Sequence, residues 1–333
     1  MSRIFVLGSG AWGTALALSL VRRGGHQVTL WAHSPEFAQQ ILDAGENKQF
    51  LPGFRLPASL VVTGDCAPVR EADIILSVVP SEFLRSTFER LGPYLHAGQI
   101  IVSATKGVED GTYLRMTEVI ADCLGTLRLP IGALSGPSFA YEVAQGQPTA
   151  LTIAFTDTAI AARIREDFAS ETLRLYTSTD VVGVELGGAL KNVIAIAAGI
   201  ASGVGLGYNS AAALITRGIA EISRLAVACG AQRETLAGLS GVGDTVLTCT
   251  GSLSRNRTVG HALGQGRKLP EILQSLGGKV AEGVLTTHAA LGLARKHNIE
   301  MPITEQMEMI LTKGKDPREA IKELMLRPGK EEH

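Results

Sequence analysis

Residues 3–31, RIFVLGSGAWGTALALSLVRRGGHQVTLW, set an apolar β-forming run directly before three glycines spaced as Gly8-x-Gly10-x-x-Gly13. A helical pattern and a second β-forming run follow at once. A chain that does this is held to a β-α-β unit with parallel strands, and each glycine has a physical task. Gly8 permits the tight turn, Gly10 lets the backbone approach a pyrophosphate, and Gly13 lets helix and strand pack closely. The first helical amides, around Ala11 and Trp12, then face the phosphates. A bare glycine turn satisfies the spacing too, but the strand before it and the helix after it point to a dinucleotide site.

The same alternation continues through QVTLWA, ADIILSVV, QIIVSAT, PIGALSG, TALTIAF and TLRLYTS. These are Val, Ile and Leu runs without strict alternation, as expected of parallel strands covered on both faces. After about Thr179 the strand signals stop and helical patterns take over, from GVELGGALKNVIAIAAGIA to ITEQMEMILTKG. The expected fold class is therefore α/β, an N-terminal Rossmann-type doubly wound sheet over 1–180 followed by an all-helical C-terminal domain over 181–333. A chain of 333 residues suits two domains of about 150 residues each. The boundary rests on the change of pattern alone, good to about ten residues.

A formal net charge of −1 gives no basic excess for a polyanionic partner, so no nucleic acid is expected. Cys66, Cys123, Cys229 and Cys249 lack the close pairing of a zinc site or the density of a disulfide scaffold, and no metal is expected; reduced thiols suit a cytoplasmic protein. The most membrane-like run, 193–207, falls short of the roughly 20 residues a span needs, so no membrane insertion is expected.

Several polar residues stand where chemistry is plausible. About 20 residues past the glycines, where a carboxylate would select NAD, the strand runs into His33 and Ser34. An imidazole and a hydroxyl there can accept a 2′-phosphate, so NADPH is expected to bind at least as well as NADH; His33 as a plain surface residue is the alternative. Lys106, beside Gly107, and the Gly136-Pro137-Ser138 turn follow strands whose carboxyl ends line a ligand crevice in such sheets. Lys191, in GGALKNVIAIAAG, is an ammonium group within an apolar helix. It either snorkels to solvent or is a buried tool whose pKa is pulled down by desolvation, with the small Gly187 and Gly188 leaving room for a ligand. Downstream, Asp244 follows a glycine turn, and Ser254, Arg255 and Asn256 start a helix, a set of donors suited to phosphate; Arg257 beside them can be simply solvated.

The motifs GSGAWGTALA, ATKG, SGPSFA, GGALKNVIAIAAG, GDTVLTCT, SRNRTVG and EGV, in this order, resemble the NAD(P)-dependent glycerol-3-phosphate dehydrogenases of bacteria, from Ile4 to about Gly314. The resemblance implies that Lys191 exchanges the proton as dihydroxyacetone phosphate and glycerol 3-phosphate interconvert. It implies that Lys106, Gly136, Ser138 and Asp244 lie at the substrate, and that Ser254, Arg255 and Asn256 hold its phosphate. It places Ala11, Trp12, His33, Lys106, Ala140, Arg255, Val280 and Glu282 at the cofactor, NADPH or NADH. Phe50 is a further cofactor candidate unless it is a core residue, and Glu282 equally suits a helix cap. Hydride delivered to a ketone creates an alkoxide, which a nearby cation stabilises and protonates. The rival β-hydroxyacid enzymes carry an asparagine one turn after their lysine, where this chain has Ala195; a dinucleotide sensor without turnover is a rival of another class. A homodimer and a role in glycerophospholipid synthesis are expected from the family.

Overall fold

The computed structural model describes residues 1–275, 281–329 and 331–332. Eight strands, β1 (Ser2–Leu7), β2 (His26–Trp31), β3 (Leu60–Thr63), β4 (Ile74–Ser77), β5 (Ile100–Ser103), β6 (Ile131–Ser135), β7 (Thr149–Ala154) and β8 (Leu173–Ser178), form one sheet. Its order is β3-β2-β1-β4-β5-β6-β7-β8. The chain runs outward from β1 to β3, returns beside β1 as β4 and then moves the other way, so the switch point lies between β1 and β4. Both faces are covered. Ile4 and Val6 share a buried cluster with Val28, Leu30, Ile74 and Leu76, while Phe5 and Leu7 pack on the other side with Trp31 and Ile75. That two-sided burial is why these strands read as continuous apolar runs.

Two features depart from the expected pattern. β3, only four residues long, carries too weak a run to be read as a strand. β6 and β7 pair antiparallel, although every other neighbouring pair is parallel. The reason lies in the connection: the helix Ala140–Gln145 packs against the first helix, Ala11–Arg23, instead of crossing back over the sheet, and the chain re-enters reversed.

From Val181 onward the described chain is helical. Helix Val181–Gly203 lies at the centre, surrounded by Tyr208–Ala228, Asp244–Thr250, Arg255–Gly264 and Glu282–Lys296. Asp180 caps it, accepting from the Gly183 amide at 2.8 Å. At 23 residues the helix is longer than the apolar run suggests and has the length and apolarity of a membrane span, but 94% of that apolar window is buried within the protein. Its glycines serve contacts inside the chain. A Cβ at Gly199 would strike the Arg257 carbonyl and one at Gly203 the His261 carbonyl, while Gly260 and Gly264 face Ile196 and Ile200 in return. Backbones so close hold helix Arg255–Gly264 along the C-terminal third of the central helix.

Candidate active site

The glycine loop sits at the switch point. Gly8 has φ +120°, and a Cβ there would lie 3.0 Å from the Val78 carbonyl and the Val79 amide, just beyond β4. A Cβ on Gly13 would run into the Gly8 carbonyl, whereas one on Gly10 meets nothing within 4 Å. Two glycines thus close the strand-helix corner and the third faces open space. Helix Ala11–Arg23 starts at Gly10 with no capping side chain and no acidic residue in its first turn. Uncapped amides beside a bare backbone fit an anionic pyrophosphate. Buried Asn47, which the sequence reading passed over, braces the loop by donating to the Ser9 carbonyl (2.7 Å) and Thr14 Oγ1 (2.9 Å). Trp12, Ala11 and Ala140 pack against one buried cluster that includes Ala15 and Val143, and the buried Trp12 Nε1 has no hydrogen-bond partner among the described residues.

Next along the sheet, Thr105 donates to the Val79 carbonyl at 2.9 Å, which sets Lys106 just beyond the carboxyl end of β5. Gly107 follows at φ +153°; a Cβ would come within 2.7 Å of the Ser81 side chain. Lys106 Nζ donates to Asp244 Oδ2 at 2.6 Å, and Lys191 donates to the other oxygen, Oδ1, and to Thr248 Oγ1 at 2.6 Å. Asp244 opens helix Asp244–Thr250, entered through a wide helical turn in which the Gly243 amide reaches the Gly238 carbonyl. The Asp244 side chain is 1% exposed and that of Lys191 8%, so the lysine does not reach solvent. Burial lowers the Lys191 ammonium from the usual lysine value to about 8; Asp244 raises it, Lys106 lowers it further and Glu282 raises it. Room for a ligand does not come from Gly187 and Gly188, as the sequence suggested. Those spaces are taken by the Ser240 carbonyl and the Ser135 hydroxyl.

Family models for the NAD-dependent glycerol-3-phosphate dehydrogenase N-terminus and C-terminus match residues 3–161 and 180–322. The chain belongs to the NAD-dependent glycerol-3-phosphate dehydrogenase family. Glycerol-3-phosphate dehydrogenase (NAD(P)+) of Acidobacterium capsulatum is 57% identical over the full length of both chains. The same enzyme of Koribacter versatilis is also 57% identical, over 99% of this chain and 98% of its own. The crystal structure of glycerol-3-phosphate dehydrogenase from Coxiella burnetii superposes with a TM-score of 0.93 at 41% identity, covering 98% of this chain and 99% of that one.

Around this dehydrogenase's lysine pair the remaining candidates fall into three groups. Ser254, Arg255 and Asn256 start helix Arg255–Gly264, but they are not equivalent. Ser254 is buried and its Oγ caps the helix, accepting from the Arg257 amide at 3.2 Å. Arg255 is exposed. Asn256 is buried and largely engaged, its Nδ2 donating to Asn192 Oδ1 and its Oδ1 accepting from the Gly283 amide, both at 3.0 Å. The donor left over is Asn192 Nδ2, buried beside Lys191 without a partner among the described residues. Asn192 is not singled out by the sequence, since an orphaned amide shows itself only once the fold is known.

A second group, at the end of β6, is set by Ser135 and Gly136. Gly136 has φ +140°, Ser138 Oγ donates to the Gly136 carbonyl at 3.0 Å, and Pro137 packs near Gly243, next to Asp244. Glu282 begins helix Glu282–Lys296, close enough to act on the Lys191 charge; Val280 lies outside the described residues.

The third group lies at the end of β2. Exposed His33 packs 5.2 Å from Phe37, and Phe50 meets the same ring edge-on at 5.7 Å, partly buried at the core margin. Ser34 accepts from the Phe37 amide at 3.2 Å as a helix cap. The strand end itself carries no carboxylate, but one stands just beyond it. Glu36 occupies the first helical turn, its carboxyl held below the usual range by its own backbone amide, by Ser34 and, more weakly, by His33.

Proposed function

We propose that Lys191 is the general acid and base of the dehydrogenase. It donates the proton when dihydroxyacetone phosphate is reduced to sn-glycerol 3-phosphate and takes it back in the reverse direction. The reaction is NAD(P)H-dependent and acts on a phosphorylated small molecule. The observation that carries the residue assignment is the buried Lys191–Asp244–Lys106 bridge at the carboxyl end of β5, separated from the glycine loop by β4.

When bound, the nicotinamide would supply the hydride. Lys191 stabilises the negative charge that develops on the carbonyl oxygen and passes its proton there. Lys106 holds the same oxygen or its neighbour, and Asp244 keeps the two ammonium groups from separating. Two cations against one carboxylate leave an excess positive charge that suits a phosphorylated substrate. Ser254, Arg255 and Asn256 receive the phosphate at their helix start, joined by the unpartnered Asn192 amide, and Gly136 and Ser138 border the substrate. Gly8, Gly10, Ala11, Trp12 and Gly13 would hold the cofactor's pyrophosphate, with His33, Lys106, Ala140, Arg255, Glu282 and, by the family resemblance, Val280 as further cofactor contacts and Phe50 as a contact on the adenine or nicotinamide side.

Residues 1–180 serve as the nucleotide-binding unit and 181–333 as the substrate-binding and catalytic unit. A cytoplasmic homodimer supplying glycerophospholipid synthesis completes the proposal, supported by the family resemblance and by four unpaired cysteines suited to a reducing compartment.

A spectrophotometric assay with NADPH tests the substrate class. Turnover of dihydroxyacetone phosphate far above that of ketopantoate or glyoxylate is expected; equal or better turnover of either unphosphorylated acid rejects the reading.

A further inference from the structure

The loop that carries Lys106 leaves the sheet after β5 and does not hang free. Val108 and Arg115 pair as an antiparallel bridge, and the Glu109 amide donates to the Leu114 carbonyl at 2.9 Å, so residues 108–115 close into a compact hairpin. Its apolar members belong to the helical lobe. Val108 is buried in the cluster built around helix Val181–Gly203, and Tyr113, at φ 61°, packs into the space left by Gly292. Its polar end is held by the same central helix. Glu185, with its side chain 4% exposed, accepts from the Arg115 guanidinium, from the Thr117 amide at 2.8 Å and from the Thr117 hydroxyl at 2.7 Å. Arg115 also pairs with Glu118 at 2.8 Å. A buried carboxylate with three donors from one segment is expensive to form unless all three are satisfied, and here they are.

These contacts close a ring. Glu185 and Lys191 stand six residues apart on one helix, about 9 Å along its axis. From Glu185 the path runs through Arg115, across the backbone bridge to Val108, and through Gly107 to Lys106. From Lys106 it crosses Asp244 to Lys191 and returns along the helix. On the nucleotide-binding side Arg85 holds Glu109 at 2.9 Å, so the hairpin is fastened on both flanks.

We propose that Glu185 is a positioning residue for the reaction: by gripping Arg115 and Thr117 it fixes the Lys106 loop and so sets the Lys106–Asp244–Lys191 arrangement without touching substrate. This rests on the assignment of Lys106 and Lys191 above. The charged groups that act on Lys191 are Asp244, Lys106 and Glu282, and the buried Cys249 thiol, on the helix that Asp244 opens, lies within range of it as well. If the loop slackens, Lys106 withdraws, a like charge leaves the neighbourhood of Lys191, and Asp244 serves Lys191 alone. The proton of Lys191 is then held more tightly, and the pH midpoint of reduction rises.

The test uses full-length Glu185→Gln and the milder Thr117→Val, which keeps side-chain shape and removes one donor. Each is measured for kcat and KM with dihydroxyacetone phosphate at saturating NADPH, for NADPH affinity by fluorescence, and for the pH profile of kcat/KM. Expected is a fall in kcat/KM of about tenfold for Glu185→Gln and about threefold for Thr117→Val, as misplacement of a catalytic group by a fraction of an ångström produces. NADPH affinity falls by less than kcat/KM does, since only Lys106 among the cofactor contacts moves, and the midpoint moves to higher pH. An unaltered kcat/KM, or a fall with an unmoved midpoint, overturns the proposal, since a purely structural contact would alter only the folded fraction. If Glu185→Gln does not fold, Thr117→Val decides alone. Lys191→Met in the same assay separates the two claims: if it retains turnover, the reading of Lys191 fails, whatever Glu185 does.

Discussion

Lys106 and Lys191 come from opposite halves of the chain and bind the two different oxygens of one buried carboxylate, Asp244. Asp244 is therefore the joint at which the sheet lobe and the helical lobe share charge. Burial alone would leave Lys191 a weak base; the carboxylate keeps it protonated near neutral pH, and Lys106 limits how far that goes.

The direction of the Lys191 shift sets the pH dependence. Reduction needs the protonated amine and oxidation the neutral one. With the free-protein value near 8, kcat/KM for dihydroxyacetone phosphate should fall as pH rises through about 8, while kcat/KM for glycerol 3-phosphate should rise through the same region. Initial rates in both directions between pH 6 and 10 check this. Parallel profiles would contradict it.

Asp244→Asn removes the principal group holding the Lys191 proton. The falling limb of the reduction profile should move to lower pH, and kcat/KM at pH 7.5 should drop by on the order of 10²-fold, as loss of a proton donor produces. Full pH profiles of the variant, with melting curves to establish folding, measure both effects.

Gly13→Ala and Gly10→Ala should part company. At Gly13 the added methyl collides with the Gly8 carbonyl, so folding stability should fall by about 1–3 kcal/mol along with cofactor binding. At Gly10 there is room in the protein, and the melting temperature should hold while NADPH binds about tenfold more weakly because the methyl obstructs the pyrophosphate. Calorimetry and fluorescence titration on both variants distinguish the cases.

At the adenosine end, Glu36 is a like charge for a 2′-phosphate next to His33. Glu36→Ala should raise NADPH affinity relative to NADH by about two- to fivefold, an exposed charge pair interacting only weakly through water, and added salt should shrink the gain. Paired titrations at two ionic strengths are sufficient.

The glycine fingerprint and the switch from strand to helix patterns were legible because both depend on neighbours within a turn or a strand. β3 was not, since four residues at a sheet edge carry little signal, nor was the reversal of β7, which depends on where helix Ala140–Gln145 finds a packing partner. The lysines, Asp244 and the Ser254–Asn256 helix start could be named from the sequence because their chemical types are unusual in apolar or glycine-rich surroundings. What local sequence could not reveal is how their hydrogen bonds are shared out. Asn256 is tied to Asn192 and Gly283, Asn192 keeps the spare donor, and the glycines beside Lys191 are filled by Ser240 and Ser135. Those facts belong to contacts between segments about 30 to 60 residues apart.

The most direct measurement is the rate of NADPH oxidation by Lys191→Met with saturating dihydroxyacetone phosphate, taken alongside its NADPH dissociation constant on the same preparation. Loss of the proton donor predicts a fall in kcat on the order of 10²–10⁴-fold with cofactor affinity unchanged. A folded variant that still turns over within a few-fold of the parent enzyme would contradict the role given to Lys191.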